Sequence, residues 1–186
     1  KPLISWTIQA AKKSKYLDKV ILSSENKKII SIAKKLNCNI PFKRPKNLAK
    51  DNTQSIDVLI HLLKKIKEKF DYLVLLQPTS PLRIARDIDK AIEICFEFDS
   101  PTCISVSKLN KNQKNKNILN IKNKYIPQNY KYFVNGAIYV AKTEWILKGK
   151  DFLNKETNIY VMPKARSIDI DDNFDFEKAE YLLKKM

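Results

Sequence analysis

Short runs of apolar residues alternate along this chain with longer segments in which apolar residues recur every three or four positions. Strands and helices that alternate in this way are typical of an α/β protein whose helices cross over a mostly parallel sheet. The pattern predicts strands at residues 20–22, 39–42, 72–76, 103–106 and 160–162, and a further ordered segment at 133–141. It predicts helices at 2–14, after a cap at Ser24, from Asn52 or Thr53 to Phe70, at 85–98, around Trp145 and at 174–185.

The segment 108–129 interrupts this alternation, because it is rich in lysine and asparagine and has no regular period. A long irregular segment inside a compact domain is usually functional or disordered. It carries more apolar residues than a purely solvated loop would, namely Ile118, Leu119, Ile121 and Ile126. We therefore predict that residues 108–135 form an inserted arm that buries these side chains against a partner subunit.

The length of 186 residues predicts a single domain, 1–186, with a substantial core. Hydrophobic residues make up 44% of the chain, which argues against disorder. The apolar runs are too short to span a bilayer, and no signal peptide is visible. We expect a soluble, cytoplasmic protein with no membrane partner.

The formal net charge of +16 raises the question of nucleic-acid binding. The excess is almost entirely lysine, spread over the polar faces of the predicted helices, and only four arginines occur. No zinc-finger or glycine–aromatic signature accompanies the lysines. A solvated surface is therefore favoured over a nucleic-acid site, although a positive field would attract an anionic nucleotide or sugar acid.

The three cysteines, Cys38, Cys95 and Cys103, are too few and too scattered to predict a disulfide framework or a zinc site. We expect reduced, partly buried thiols. The single histidine, His61, has no cysteine near it in sequence, and a structural role is expected for it.

A stiff polar segment follows the apolar run at 72–76 and contains Gln77 and Arg83 between two prolines. Prolines fix φ and stop the strand from continuing. Two interpretations are open: a turn that ends a core strand, with polar residues facing water, or one wall of a ligand site, since ligands bind beyond the carboxyl ends of parallel strands.

Two carboxylates, Asp169 and Asp171, stand two positions apart near a predicted strand end, so that both project to the same side. Mg²⁺ prefers one or two carboxylates together with phosphate oxygens and water. The alternative is that the acidic residues begin and cap the last helix, which accounts for Asp172 or Asn173 but not for Asp169. Both interpretations stay open on the residue pattern.

Other polar residues have equally plain alternatives. Arg44 in its proline-braced loop is a surface arginine or a bidentate clamp for phosphate or carboxylate. Ser55 lies in the first turn of a predicted helix, and Tyr139 is a core aromatic or a ligand contact. The pair Asn135–Gly136 allows a ligand to approach the backbone closely, because glycine has no side chain.

Several blocks resemble the acylneuraminate cytidylyltransferases, the CMP-sialic acid synthetases, in the same order along nearly the whole chain. The most specific is Leu-Leu-Gln-Pro-Thr-Ser-Pro-Leu-Arg at 75–83. The others begin at Pro2, Leu22 (with Glu25 where the family usually has Asp), Pro41, Asn135 and Ser167. The resemblance implies a three-layer, Rossmann-like nucleotidyltransferase fold with a mostly parallel sheet and a dimerisation arm.

The resemblance also implies an activity: transfer of CMP from CTP to an acidic nine-carbon sugar of the sialic acid type, with release of pyrophosphate, by a homodimer. It places catalytic, metal-binding carboxylates for Mg²⁺, or alternatively Mn²⁺, at Asp169 and Asp171. It assigns nucleotide contacts to Arg44, Ser55 and Asn52, and sugar contacts to Gln77, Arg83, Asn135 and Tyr139. The alternatives are the same chemistry on a legionaminic, pseudaminic or Kdo-like acid, or an inactive module that binds nucleic acid or a sugar nucleotide.

The chain departs from the family pattern at two places. Only two glycines occur, Gly136 and Gly149, and neither forms a phosphate loop after a first strand. An arginine that the family often has before Asn135 is also absent. We expect an upstream strand and a glycine-rich basic loop in the native gene, and low activity and reduced stability for the chain without them.

Overall fold

The computed structural model describes residues 1–109 and 131–185, which form six helices and four strands. The helices are α1 (Leu3–Lys12), α2 (Lys27–Lys35), α3 (Ser55–Lys65), α4 (Ala85–Glu97), α5 (Thr143–Leu147) and α6 (Asn173–Leu183). The strands are β1 (Tyr72–Leu76), β2 (Thr102–Lys108), β3 (Tyr132–Lys142) and β4 (Asn158–Val161). Two single 3₁₀ turns lie at Lys46–Leu48 and Lys164–Arg166.

The four strands form one mixed sheet in the order β1-β3-β2-β4. β3 runs antiparallel to both of its neighbours, whereas β2 and β4 are parallel. β1, β2 and β4 therefore all point the same way, and their carboxyl ends share one edge of the sheet. The segment between β2 and β3 begins and ends at that edge, since the Leu109 amide donates to the Lys131 carbonyl at 2.8 Å.

Helices cover both faces of the sheet and give the domain its two main apolar cores. α1 and α4 pack on one face, where Ile88, Ala91 and Cys95 of α4 are fully buried. α3 and α5 pack on the other face, around Ile104 and Ile146. This helix–sheet–helix arrangement explains the sequence pattern, because strands covered on both faces read as continuous apolar runs.

Some predicted elements differ in the structure. Segments 20–22 and 39–42 are not strands but meet in one parallel bridge between Ile21 and Asn39. Asn26 rather than Ser24 caps α2, because its side chain accepts from the amides of the helix's first turn. α3 has no side-chain cap and ends at Lys65; beyond it, Phe70 faces a cleft instead of continuing the helix.

An apolar cleft of about 350 Å³ separates the Ile21–Asn39 bridge from the open edge of β1. Every residue of β1 lines it and is half-buried, as are most of the residues opposite in segment 20–23. Among the residues that the structure describes, β1 pairs only with β3, so its other edge has no strand partner. Unpaired strand edges are uncommon in the middle of a domain.

The structure describes only the two ends of the predicted arm at 108–135. Its central part, 110–130, lies outside the described residues, and its last residues belong to β3. The arm and the homodimer stay predictions. In the described parts of the chain, no helix is both long enough and apolar enough to cross a bilayer.

All three cysteines are buried free thiols. Burial raises the pKa of Cys38, raises that of Cys95 to about 12 and holds that of Cys103 well above its ordinary value. The thiolate, which is the reactive form, is therefore suppressed in the folded protein.

We expect the thiols to react slowly with a disulfide reagent at pH 8 in the folded protein, and all three to react at once in urea. A folded pKa above the unfolded value means stability that is present at low pH and lost as the pH rises. For Cys95 the loss should fall between about 8.5 and about 12, measurable by urea unfolding across that range. A thiol that titrates rapidly in the folded protein would contradict this assignment.

Candidate active site

The polar segment after β1 is a buried structural element and not a solvated turn. Two successive turns follow Gln77, and Ser80, Leu82 and Arg83 are each at most 2% exposed. The Thr79 carbonyl accepts from the Ile170 amide at 2.9 Å, so this segment fixes the chain next to Asp169. The prolines therefore stiffen a scaffold on which Gln77 is presented at the carboxyl edge of the sheet.

Gly136 brings the predicted site residues of three separate segments together. It lies within β3 with φ +74°, and a Cβ placed on it would lie 2.8 Å from Asp169 Oδ2 and 2.8 Å from Gln77 Oε1. The two side-chain oxygens are therefore neighbours across the bare Gly136 Cα. Only glycine combines this positive φ with so close an approach.

Tyr139 lies on the same strand, and the charge of Asp169 affects its pKa. Burial is the main cause of its raised pKa, followed by the charges of Asp169 and then Asp151. Its ring packs 5.2 Å from that of Phe152. The tyrosine is thus a half-buried core aromatic whose hydroxyl stays protonated near the site.

The two predicted metal carboxylates do not lie on a strand end. Residues 167–170 connect a 3₁₀ turn to the start of α6 without regular secondary structure, and Asp169 is half-buried whereas Asp171 is exposed. The cap of α6 is Asp172 and not Asp169, because the Asp172 side chain accepts from the Asp175 amide at 2.9 Å. Within the described residues, no cluster of three or more histidine, cysteine or acidic side chains is arranged for a metal.

Arg83 and Asn135, predicted as sugar contacts, are buried and have protein partners. The Arg83 guanidinium is buried and donates to the Gln77 and Ala137 carbonyls and to Thr7 Oγ1, at 3.1, 2.8 and 2.7 Å. Desolvation lowers its pKa to about 10, with Asp87 opposing the shift, so it remains a cation at neutral pH. The Asn135 side chain is 3% exposed and bonds within the sheet.

Two of the three predicted nucleotide contacts lie together. Arg44 and Ser55 line the cleft next to β1, where Gln77 also lies, and both line a smaller polar cavity of about 250 Å³. Two hydrogen bonds hold Arg44 in place: its guanidinium donates to the Ser23 carbonyl, and its backbone amide donates to the Ser24 carbonyl. Asn52 is exposed in a turn and lines neither cavity.

Sequence reasoning missed a buried ion pair that holds the segment before Asp169. Arg166 Nε and Nη2 bind Asp87 Oδ2 and Oδ1 at 2.9 and 2.8 Å, and the Tyr160 hydroxyl donates to Asp87 Oδ1 at 2.8 Å. Asp87 is fully buried and also accepts from the Ile84 amide at the start of α4. The scarcity of arginine was the signal, since a bidentate fork is what lysine cannot supply.

We expect Asp87→Asn to lower the free energy of unfolding by about 3 kcal/mol, because it leaves a partly buried guanidinium without its countercharge. Urea unfolding followed by circular dichroism measures the change. Glu180→Gln is the control, because its pair with Lys184 is solvent-exposed and should contribute less than about 0.5 kcal/mol. Equal effects of the two substitutions would contradict the role of the buried pair.

The fold and the arrangement of the site first indicate the class of protein. A mixed α/β sheet between two helix layers, with polar side chains collected beyond the strand ends, is the architecture of the Rossmann-like nucleotidyltransferases. The chain belongs to the cytidylyltransferase family, whose sequence model matches residues 1–186. The predicted family and the predicted α/β, Rossmann-like fold class are both confirmed. The expectation of a mostly parallel sheet is corrected, since two of the three strand pairings in the described residues are antiparallel.

Curated relatives are about 30% identical to the chain over the aligned residues. An N-acylneuraminate cytidylyltransferase of Escherichia coli is 31% identical over 96% of the chain, which spans only 45% of that protein. A CMP-N,N'-diacetyllegionaminic acid synthase of Legionella pneumophila is 31% identical over 98% of the chain and 85% of its own length. A pseudaminic acid cytidylyltransferase of Campylobacter jejuni is 30% identical, over 99% of the chain and 86% of its own length.

Solved structures share the fold at low sequence identity. The structure of a CMP:2-keto-3-deoxy-manno-octonic acid synthetase complexed with CTP matches with a TM-score of 0.75 at 12% identity. The match covers 100% of this chain and 88% of the chain in that structure. A 4-diphosphocytidyl-2C-methyl-D-erythritol synthase from Anaerococcus prevotii has a TM-score of 0.68 at 14% identity, covering 98% and 89%. These likenesses concern the fold.

Proposed function

We propose that the chain forms the substrate site of an enzyme that transfers CMP from CTP to an acidic nine-carbon sugar of the sialic acid type. The sugar's anomeric hydroxyl oxygen forms a bond to the α-phosphorus, the bond from that phosphorus to pyrophosphate breaks, and the hydroxyl proton passes to solvent. The family match and the three relatives that act on nonulosonic acids support this proposal.

One observation carries the proposal: Gln77 lies at the junction of two groups of polar residues. On one side its Oε1 is next to Asp169 across Gly136. On the other side it lines the cleft that also holds Arg44 and Ser55. A sugar held by the Gln77 amide would therefore lie between the carboxylate and the predicted nucleotide contacts, which is the arrangement that in-line transfer requires.

The Arg44 guanidinium supplies positive charge to the nucleotide side of this arrangement. Its Nε is buried and has no hydrogen-bond partner among the described residues, while Nη2 is held by the Ser23 carbonyl. A guanidinium that is held by one nitrogen and has another nitrogen without a hydrogen-bond acceptor is suited to bind a phosphate oxygen. We assign Arg44 and Ser55 to CTP, and Gln77 and Tyr139 to the sugar acid.

Asp169 and Asp171 have the chemistry to hold Mg²⁺ or Mn²⁺. Carboxylate oxygens are the ligands that these hard cations prefer, and the bare Cα of Gly136 leaves room beside Asp169 Oδ2 that any side chain would fill. A bound cation would neutralise charge on the transferring phosphate. Asp169, which is half-buried, and Asp171, which is exposed, would hold such a cation.

The open edge of β1 supports the expectation of a further strand. The cleft is apolar and lies between β1 and the Ile21–Asn39 bridge, and within residues 1–109 and 131–185 no strand pairs with the edge of β1 that faces it. An extended strand in the cleft would pair with β1 and bury the half-exposed residues of both walls. We propose that such a strand fills the cleft and places a phosphate-binding loop beside Arg44.

The test is a product assay with CTP, Mg²⁺ and four sugar acids: N-acetylneuraminic, legionaminic, pseudaminic and 2-keto-3-deoxy-manno-octonic acid. Released pyrophosphate and the CMP-sugar, detected by mass spectrometry, are measured for residues 1–186 and for the same chain extended by the codons that precede Lys1. We expect a CMP-sugar from a nine-carbon acid, at a higher rate with the extended chain. An extended chain that yields no CMP-sugar from any of the four acids would sink the proposal.

A further inference from the structure

β3 contains a large bulge at the point where it passes the active site. Ile104 of β2 pairs with Tyr139 of β3, whereas Val106 pairs with Val134. Ser105 is therefore the single residue of β2 opposite residues 135–138 of β3, which we call the site bulge. Extra residues in one strand leave backbone groups without their ladder partners and bend that strand.

On the β2 side, side chains replace the lost ladder bonds. The Ile138 amide donates to Ser105 Oγ at 2.8 Å, and the Ala137 amide donates to Asn135 Oδ1 at 3.2 Å. Ser105 Oγ in turn donates to Asn135 Oδ1 at 2.6 Å, and Asn135 Nδ2 donates to Ser107 Oγ at 3.1 Å. These side chains are at most 4% exposed. Buried amides need such partners, so the Asn135–Ser105 pair determines the shape of the bulge.

On the β1 side, Arg83 performs the corresponding task. The β1–β3 ladder ends at the pair Leu76–Ile138. The next two carbonyls, of Gln77 and Ala137, both accept from Arg83 Nη1, while Nη2 binds Thr7 of α1. The guanidinium thus closes the sheet where the strands separate, and it fixes the backbone of Gln77 to the bulge.

We propose that Asn135 and Arg83 are positioning residues that shape the site bulge, so that Gly136 meets Gln77 and Asp169, and that neither contacts the sugar. The two side chains act through the Gly136 backbone, from opposite edges of β3. Both nitrogens at the end of the Arg83 side chain and both polar atoms of the Asn135 amide have protein partners. Arg83 Nε has no hydrogen-bond partner among the described residues, but it belongs to a side chain that is 2% exposed. The substrate contacts therefore fall to Gln77, Tyr139 and Asp169. The catalytic part of this inference rests on the proposed cytidylyl transfer.

Ser105→Ala distinguishes positioning from direct contact. Ser105 is 1% exposed on β2 and touches the site only through Asn135 and the Ile138 amide. We expect Ser105→Ala and Asn135→Ala each to lower kcat on the order of 10- to 100-fold, with less than about a twofold change in KM for the sugar. Because both remove one network, the double variant should be no worse than the poorer single variant.

Amide hydrogen exchange gives a readout that does not depend on activity. In both single variants the amides of Ala137 and Ile138 should exchange at least about tenfold faster than in the wild type. Ser100→Ala is the matched control: this serine is equally buried, bonds the Thr102 and Glu156 carbonyls before β2, and lies outside the bulge. It should change neither exchange at the bulge nor kcat.

Arg83→Lys tests the other edge while keeping a cation in place. Lysine cannot span the Gln77 and Ala137 carbonyls and Thr7 together, so kcat should fall on the order of tenfold with KM for the sugar unchanged. The proposal would be overturned if Asn135→Ala greatly raised the KM for the sugar while Ser105→Ala remained active. Unchanged exchange at Ala137 and Ile138 in Ser105→Ala would overturn it too, even in a protein that transferred no CMP; inactivity of the wild type counts against the proposed function alone.

Discussion

Asp169→Asn should abolish most cytidylyl transfer while leaving the fold intact. The substitution keeps the shape of the side chain and removes the charge that lies next to Gln77 across Gly136. The carboxylate would act by holding the cation that neutralises the reacting phosphate, and loss of one such electrostatic contribution costs about 100- to 1,000-fold in kcat. Steady-state rates of pyrophosphate release measure the loss, and urea unfolding should show a change below about 1 kcal/mol.

Asp172→Asn is the matched control, since it removes a carboxylate three residues away. Asp172 is exposed and caps α6, and asparagine caps a helix equally well. Its activity should match the wild type. The Mg²⁺ concentration for half-maximal rate should rise in Asp169→Asn and in Asp171→Asn but not in Asp172→Asn. If Asp169→Asn keeps its rate within threefold of the wild type, Asp169 is no part of the catalytic machinery.

Gly136→Ala should lose activity out of proportion to its loss of stability. Alanine at φ +74° costs about 1–2 kcal/mol of backbone strain. Its Cβ would also lie 2.8 Å from both Asp169 Oδ2 and Gln77 Oε1, closer than atoms in contact allow. Both atoms are the ends of side chains and can move aside, so most of the steric effect falls on the geometry of the site. A displacement of about 1 Å can cost on the order of 100-fold in rate.

The second glycine provides the comparison. Gly149 has φ +71°, and a Cβ there would meet nothing within 4 Å. Gly149→Ala should therefore show the backbone strain alone: a loss of about 1–2 kcal/mol in unfolding free energy and no change in kcat. Equal kcat values in the two alanine variants would show that the approach of Asp169 and Gln77 to Gly136 has no catalytic consequence.

Local patterns were sufficient for the helices and for most of the strands. The apolar run at Tyr72–Leu76 and the helical spacing through Ala85–Glu97 each correspond to an observed element. Segments 20–22 and 39–42 have the same apolar character but form only one bridge. A strand exists only where a neighbour supplies hydrogen bonds, and hydrophobicity carries no information about that neighbour.

The direction of β3 is a second feature that the pattern does not contain. Apolar alternation is the same for parallel and antiparallel strands, so the antiparallel course of Tyr132–Lys142 between β1 and β2 is visible only in the structure. The site bulge depends on that course, because it forms where β3 leaves the register of β2 at Ser105.

At the candidate site, too, the sequence indicates individual residues, whereas their neighbours depend on the fold. Gln77, Gly136 and Asp169 stand out in the sequence as a stiffened polar residue, a rare glycine and a carboxylate that no helix cap explains. Their meeting within contact distance requires the fold. Arg83 and Asn135 look like ligand residues in sequence because they are polar and lie next to these three. Burial and hydrogen bonding give them other partners.

By itself, the sequence determined the α/β class, the family and the segments that carry the site, because periodicity and ordered motifs are local properties of a chain. The tertiary structure decided which segments meet at the candidate site and which polar side chains are buried against protein partners. That distinction depends on distances between segments far apart in sequence, such as Ser105 with Asn135 and Asp87 with Arg166. A buried hydrogen-bonding group is satisfied by whatever the fold brings next to it, and no local pattern records that neighbour.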